Sequence, residues 1–477
     1  MRFGFESTRP ALAVAALLTV LVSTGTAQID DIFEDELVES ALLEEVQDDE
    51  AVADDELLFG ESEATGGGTS WIRDWKGFVE IQPRVYFEDR AGPKNDGQLL
   101  VRGEVELDLQ LADGLTGYFR PRFFVDALDE ELHRYEPFEA YVTFEGDDWD
   151  LRAGQFVENW GIVDTFNPID VINRRDLGSD ILDADRLGEL GVRYRRTFAG
   201  TDSIGEPTLS FYALPIFRHT LFGTADQRVG PETAQLRFDE DGGFEPSGDE
   251  EGLYAVRFQS TVDTELANAD IQFLASRGPS RTPLFFVDPT GTLVPAYFGA
   301  TTIGAGFRAV PNEDAVGEWL AGLTLKTEIV FTDAFDFSGS PVPAPDDYVA
   351  AIFGVDRSFY DLFSDQDELV MTLEYAREEG ANDAAALLRP FRDDLIVRGL
   401  YEVNDFARQS LEVRGLFDLD VDETILELIY ERQVRSIHED LKLTIGVQIF
   451  EAARPGKSFF SLLADPSSLS VGLRWDL

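Results

Sequence analysis

The chain has 477 residues, no cysteine, and 92 Asp and Glu against 39 Lys and Arg, for a formal net charge of −53. Such a field excludes nucleic acid as a partner, because phosphate binding needs basic patches. The missing cysteine excludes a disulfide framework, and after the N-terminus no apolar run is long enough for a helical membrane span.

Residues 1–27 read as a cleavable secretory signal. Arg2 and Arg9 flank a short basic start, Ala11 to Val22 is an uncharged apolar run, and Gly25 and Ala27 are the small residues of a cleavage site after Ala27. The apolar run is too short to cross a hydrocarbon core of about 30 Å.

Residues 28–70 hold sixteen carboxylates and no Lys or Arg, and the signal is net +1, so 71–477 carry −38. Apolar residues recur in 28–70 at helical spacing (Ile32, Phe33, Leu37, Val38, Leu42), but blocks of like charge oppose folding. Gly66, Gly67 and Gly68 form a flexible joint. This segment is expected to be a flexible acidic periplasmic tail, with a helix for a periplasmic partner as the alternative.

From Trp71 the period changes to two. In Leu99–Leu111, Val101, Gly103, Val105, Leu107 and Leu109 occupy one phase, and Arg102, Glu104, Glu106, Asp108 and Gln110 the other. Strict alternation gives a strand one apolar and one polar face. Strands are expected at 77–88, 98–111, 115–126, 135–145, 149–160, 187–198, 207–217, 252–263, 268–277, 300–310, 318–332, 347–359, 367–378, 393–404, 409–419, 424–435, 441–451 and 468–477. Their length, the charges in mid-strand on the polar phase, and aromatics near strand ends (Phe78, Tyr86, Phe87, Trp149, Trp160, Trp319, Tyr348, Trp475) favour a transmembrane barrel over a soluble sandwich.

The expected fold is therefore all-β: a single antiparallel transmembrane β-barrel over 71–477, of about eighteen strands, with sixteen as the alternative count. An even count puts both termini in the periplasm. Short turns then fall at Ala112–Gly114, Gly146–Asp148, Ala199–Glu206, Thr264–Ala267, Pro311–Gly317, Asp361–Gln366, Asp405–Arg408 and Ile437–Asp440. The long links, 161–186, 218–251, 278–299, 379–392 and 452–467, fall on the outer side.

Four constellations could carry chemistry. His133, His219 and His438 are the only histidines, and neither GxSxG nor HExxH occurs, so no catalytic residue is expected. On the polar phase, Arg84, Arg102, Arg120, Arg122, Arg152, Arg193, Arg195, Arg257, Arg398 and Arg414 alternate with Glu80, Glu104, Glu106, Glu139, Glu189 and Glu412. Such charges brace a wet lumen and select among permeating ions. Trp160–Asp176 opens the first long loop with Asp164, Asn167, Asp170, Arg174, Arg175 and Asp176, and is expected to fold inward as a constriction. Phe238–Gly252 is rich in carboxylates and glycine, which makes Asp239, Asp241 and Asp249 candidate Ca²⁺ ligands, although EF-hand spacing is absent. No other cofactor is expected.

The sequence Gly154-Gln155, Trp160-Gly161, Asn167-Pro168-x-Asp170-Val171 and Arg175-Asp176 resembles a signature of porin-like outer-membrane β-barrel proteins of proteobacteria, in which a Gly-Arg-Gln…Trp-Gly…Asn-Pro-x-Asp segment follows an early strand. Here Ala153-Gly154-Gln155 replaces Gly-Arg-Gln, so an arginine is missing. The resemblance implies a channel or export role and no particular substrate. The chain ends in Leu477 rather than an aromatic, with Trp475 two residues earlier on the same face as a substitute signal for the barrel-assembly machinery.

The leading expectation is a passive, cation-leaning outer-membrane channel in contact with lipid and lipopolysaccharide. The alternatives are an export or binding barrel gated by a partner at 28–70, for a more hydrophobic substrate, and a lipid-modifying enzyme. The oligomeric state is open, with a trimer as one candidate.

Overall fold

The computed structural model describes residues 71–477 except 88–95, 179–183, 224–227, 229, 231–236, 240–242, 313–316, 318–321, 365, 381–390, 422 and 452–466. The signal, the 28–70 tail, Asp241 and Trp319 lie outside the described residues.

Eighteen strands form one sheet. They are β1 (Ile72–Tyr86), β2 (Gly97–Ala112), β3 (Leu115–Asp126), β4 (Asp129–Glu145), β5 (Trp149–Phe156), β6 (Glu189–Thr197), β7 (Thr208–Leu214), β8 (Leu253–Asp263) and β9 (Ala267–Pro279), followed by β10 (Gly299–Pro311), β11 (Leu323–Phe335), β12 (Tyr348–Tyr360), β13 (Asp367–Glu379), β14 (Asp393–Val403), β15 (Gln409–Asp418), β16 (Thr424–Gln433), β17 (Leu441–Glu451) and β18 (Ser468–Asp476). Each strand pairs antiparallel with the next, and β1 pairs with β18, for example Val79 opposite Trp475. Closure removes every free edge and satisfies the backbone from strand to strand, the condition for a sheet in lipid. The count is eighteen, not sixteen: 268–310 resolves into β9 and β10 joined by a long loop.

The two phases separate as their polarity dictates. Ile81, Ile303, Ile329, Phe353 and Leu473 are exposed on the outer face, whereas Glu80, Glu104, Arg193, Glu328 and Glu374 are buried on the inner one. Placing an arginine at Ile329, at the middle of β11, should cost about 2–4 kcal/mol in a bilayer. A urea titration of Ile329→Arg in lipid vesicles reads this as a lowered midpoint; an unshifted midpoint would mean that lipid does not cover this face.

Three expectations need correction. The fourth strand begins at Asp129, not 135, because β3 turns straight back through Ala127 and Leu128. The fifth ends at Phe156, so Trp160 has left the sheet. The aromatic girdle also loses members. Phe87, Trp149 and Trp475 are exposed, but Tyr86 and Tyr348 are buried and Trp160 is fully enclosed. Tyr86 and Tyr348 sit on the inward phase of their strands, where a strand-end aromatic fills the mouth instead of facing lipid.

Candidate functional site

The charged wall is built by register. The strand order places inward residues of one strand directly opposite those of the next, within reach of long side chains. Arg102 Nε lies 2.8 Å from Glu80, Arg120 Nε 2.7 Å from Glu104, Arg122 Nε 2.7 Å from Glu104, and Arg120 3.8 Å from Glu106. Arg193 bridges Asp150 and Glu158 at 2.6 Å each, Arg195 meets Asp150 at 2.5 Å, and Arg152 lies 3.6 Å from Glu158 with its guanidinium 4.2 Å over the Tyr141 ring. Across the lumen wall, Arg398 and Arg414 share Glu412, and Lys442 holds Glu431 at 2.6 Å.

The β5–β6 loop follows the inner wall. Tyr212 on β7 donates to Glu158 at 3.2 Å, Arg257 on β8 donates to the Asn159 carbonyl at 3.2 Å, and Gln272 on β9 donates to the Trp160 carbonyl at 2.7 Å. A Cβ at Gly306 on β10 would stand 2.6 Å from Ile162, so a bare backbone there lets the loop lie flat. Glu328 on β11 accepts the N–H groups of Ile162 and Val163 at 2.5 and 3.2 Å, and Lys326 donates to Asp164 at 2.8 Å. Glu374 on β13 accepts Asp164 and Thr165 N–H at 2.8 and 3.2 Å. Phe166 then stacks on Phe391, with centroids 4.9 Å apart. The chain thus passes from wall strand to wall strand almost one residue at a time.

The return limb folds on itself. Asp170, with no exposed side-chain surface, accepts from Arg175 at 2.8 Å and Arg186 at 2.6 Å. Arg186 also donates to Asn167 at 2.9 Å, and Asn167 donates to the Val163 carbonyl at 3.0 Å. Residues Arg174–Asp176 pair with Asp185–Leu187. This hairpin returns to the near wall: Arg122 meets Asp185 at 2.6 Å and Arg134 meets Asp176 at 2.5 Å. Arg174 lies beside buried Glu189 at 3.7 Å, with Arg281 at 3.4 Å. Burial lowers the pKa of Arg281, opposed by Glu189.

Gly161 sets the tip. A Cβ there would fall 1.4 Å from the Asn167 side-chain oxygen. Gly161→Ala should expel that amide from both of its hydrogen bonds, at roughly 1 kcal/mol each. The expected readout is faster proteolysis within 162–173 while the barrel stays folded; unchanged proteolysis would mean that the Asn167 contacts do not hold the tip.

The sequence singled out Trp160, Asp164, Asn167, Asp170, Arg174, Arg175 and Asp176 in this loop but missed the wall residues that hold it: Lys326, Glu328 and Glu374. A signal was present. Glu328 has Gly306 and Ile352 as register partners, and Glu374 has Gly354 and Ile396. An inward carboxylate with no cation across from it needs another donor, here loop backbone.

The remaining candidates are scattered. His133 lies 3.0 Å from the Asp126 carbonyl and His219 2.6 Å from Glu245, both at the long-loop end, whereas His438, 3.5 Å from Asp440, is in a short turn at the other end. Asp239 joins a small sheet through Leu293, and Asp249 lies in the turn Gly248–Glu250. No group of three or more His, Asp or Glu side chains is arranged for a metal among the described residues.

A closed barrel with an apolar outside, a charged inside and a long loop laid against the inner wall is a transmembrane β-barrel of porin-like build. No family model matches the chain, and no curated protein matches it. Solved structures similar to it include OccK11 of Pseudomonas aeruginosa (9% identity, 85% of this chain and 97% of that one, TM-score 0.46). OccAB1 of Acinetobacter baumannii aligns at 10% identity over 86% and 98%, with TM-score 0.48. A triple mutant of the Rhodopseudomonas blastica porin aligns at 13% over 85% and 99%, with TM-score 0.37. Likeness at this level carries no argument about what passes through the barrel.

Proposed function

We propose that the protein is an outer-membrane channel for passive diffusion of small hydrophilic solutes and ions, leaning toward cations, with loop 161–186 as its constriction. The observation that carries this reading is the wall-hugging loop. Its residues 158–166 follow the wall from β7 to β13, Val163 joins one buried cluster with Ile396, Leu416, Ile425 and Phe450 on β14–β17, and the wall also carries the charges of β1–β3 and the Arg398–Glu412–Arg414 group. Asp164, Arg175, Asp185 and Arg186 keep between a quarter and two fifths of their side-chain surface open, so a passing ion meets charge on both sides of the gap. Such paired rows set a transverse field, and the −38 carried by 71–477 biases the path toward cations. In this reading both termini are periplasmic, and the 28–70 tail is available there to a partner.

Planar bilayers test it. The protein should insert as discrete conductance steps, with a cation-selective reversal potential under a KCl gradient that weakens as salt rises. Silence at several protein loads would overturn the channel reading, and an anion-selective potential would overturn the cation lean.

A further inference from the structure

A cavity of about 210 Å³ lies at the long-loop end, between the loop and the wall. Its wall carries one row of hydroxyl side chains in direct register: Ser276 on β9 faces Thr302 on β10, Thr302 faces Thr332 on β11, and Thr332 faces Tyr348 on β12. All four line the cavity. Ser276, Thr302 and Thr332 are more than nine-tenths buried, and their side-chain hydroxyls have no hydrogen-bond partner among the described residues. Neighbouring strands lie about 4.8 Å apart, so the row presents donor–acceptor groups at regular spacing.

Aromatic rings share the lining. Phe166 and Phe391, stacked on each other, and Phe285 also line the space. Of its arginines, Arg175 pairs with Asp170, and Arg281 shares the single carboxylate of Glu189 with Arg174 and Arg218. The site therefore offers hydroxyls that donate and accept beside an apolar ring surface.

We propose that this cavity is a vestibule binding site for a neutral polyhydroxylated solute of monosaccharide size. A six-membered polyol ring satisfies each feature: its C–H face lies on the phenylalanines and its edge hydroxyls meet the serine–threonine row. A water takes roughly 30 Å³ in the liquid, so the cavity holds one such ring in place of several waters. A polyol can partner the hydroxyls of Ser276, Thr302 and Thr332 at once. The −38 carried by 71–477 disfavours an anionic solute. This rests on the channel reading and deepens it: a site between loop and wall at the long-loop end would hold its solute beside the pore mouth.

The test uses the full-length barrel in detergent micelles, titrated calorimetrically with D-glucose and, separately, with D-gluconate as the charged counterpart. Glucose should bind saturably and gluconate more weakly. In the double variant Thr302→Val, Thr332→Val the shape stays and two hydroxyls go, so affinity should fall by about tenfold. Phe166→Ala, which removes ring surface and keeps the hydroxyls, should also weaken glucose. Heat-modifiable gel mobility checks that each variant is folded. No glucose binding by the wild type, a preference for gluconate, or equal affinity in the valine double variant would overturn the site. Calorimetry does not depend on conduction, so silent bilayers with intact glucose binding would defeat the channel reading alone, and conducting barrels without binding would defeat this one.

Discussion

Replacing both Glu328 and Glu374 with alanine should raise single-channel conductance severalfold while the barrel stays folded. These two carboxylates accept the backbone N–H groups of Ile162, Val163, Asp164 and Thr165, and Glu328 also lies 3.4 Å from the Ile169 N–H. A hydrogen bond to a charged group contributes about 1.5–3 kcal/mol, so the tip loses most of its polar attachment. What remains includes the Lys326–Asp164 bond, the Gln272 bond to the Trp160 carbonyl, the Phe166–Phe391 stack and the packing of Ile162 and Ile169 over Gly306 and Gly304. The strands themselves lose little, since removing a buried charge also removes its desolvation cost. With the tip released, the lumen on the β8–β13 side opens. The glutamine pair keeps one acceptor oxygen per site and should fall between wild type and the alanine pair. Unchanged conductance in the alanine pair would mean that the loop does not limit flow.

The second large effect is expected at Asp170. Its carboxylate has no exposed side-chain surface and gathers Arg175, Arg186 and Asn173. Breaking a buried ion pair by removing one partner costs about 3–5 kcal/mol. Here the figure is discounted, because Arg186 and Arg175 are 27% and 30% exposed and water can reach them. Asp170→Ala should loosen the return limb, seen as current flicker, and leave two uncompensated guanidinia on the lumen side. The reversal potential should therefore move toward anions, and more so at low salt. A steady current with unshifted selectivity would place Asp170 outside the permeation path.

The strands were legible because alternation is imposed by the medium: each transmembrane residue faces either lipid or the lumen, and the sequence records the choice. The runs Val101–Leu111 and Leu469–Leu477 show this directly. Ends were less legible. Trp160 continues an aromatic, strand-like run, yet it leaves the sheet to pack edge-on against Tyr212 at 5.2 Å. Tyr86 and Tyr348 look like girdle residues by type, and only their phase shows that they turn inward. The inward turn of the loop was expected, but its path was legible only through the unpaired inward carboxylates, since it depends on which strands close the ring opposite β5. The Asn-Pro-x-Asp segment marked the bend, but its partners Glu328 and Glu374 lie more than 150 residues later.

Residues 158–166 lie along the inner wall as far as β11 and β13. The natural chain has no cysteine, so a pair can be introduced cleanly. The variant Asp164→Cys, Lys326→Cys, treated while folded with a short bis-maleimide and then unfolded, should run on a denaturing gel as the looped, cross-linked form, and should not do so when unfolded before treatment. Cysteines that each react singly with a maleimide but never cross-link in the folded barrel would contradict the claim.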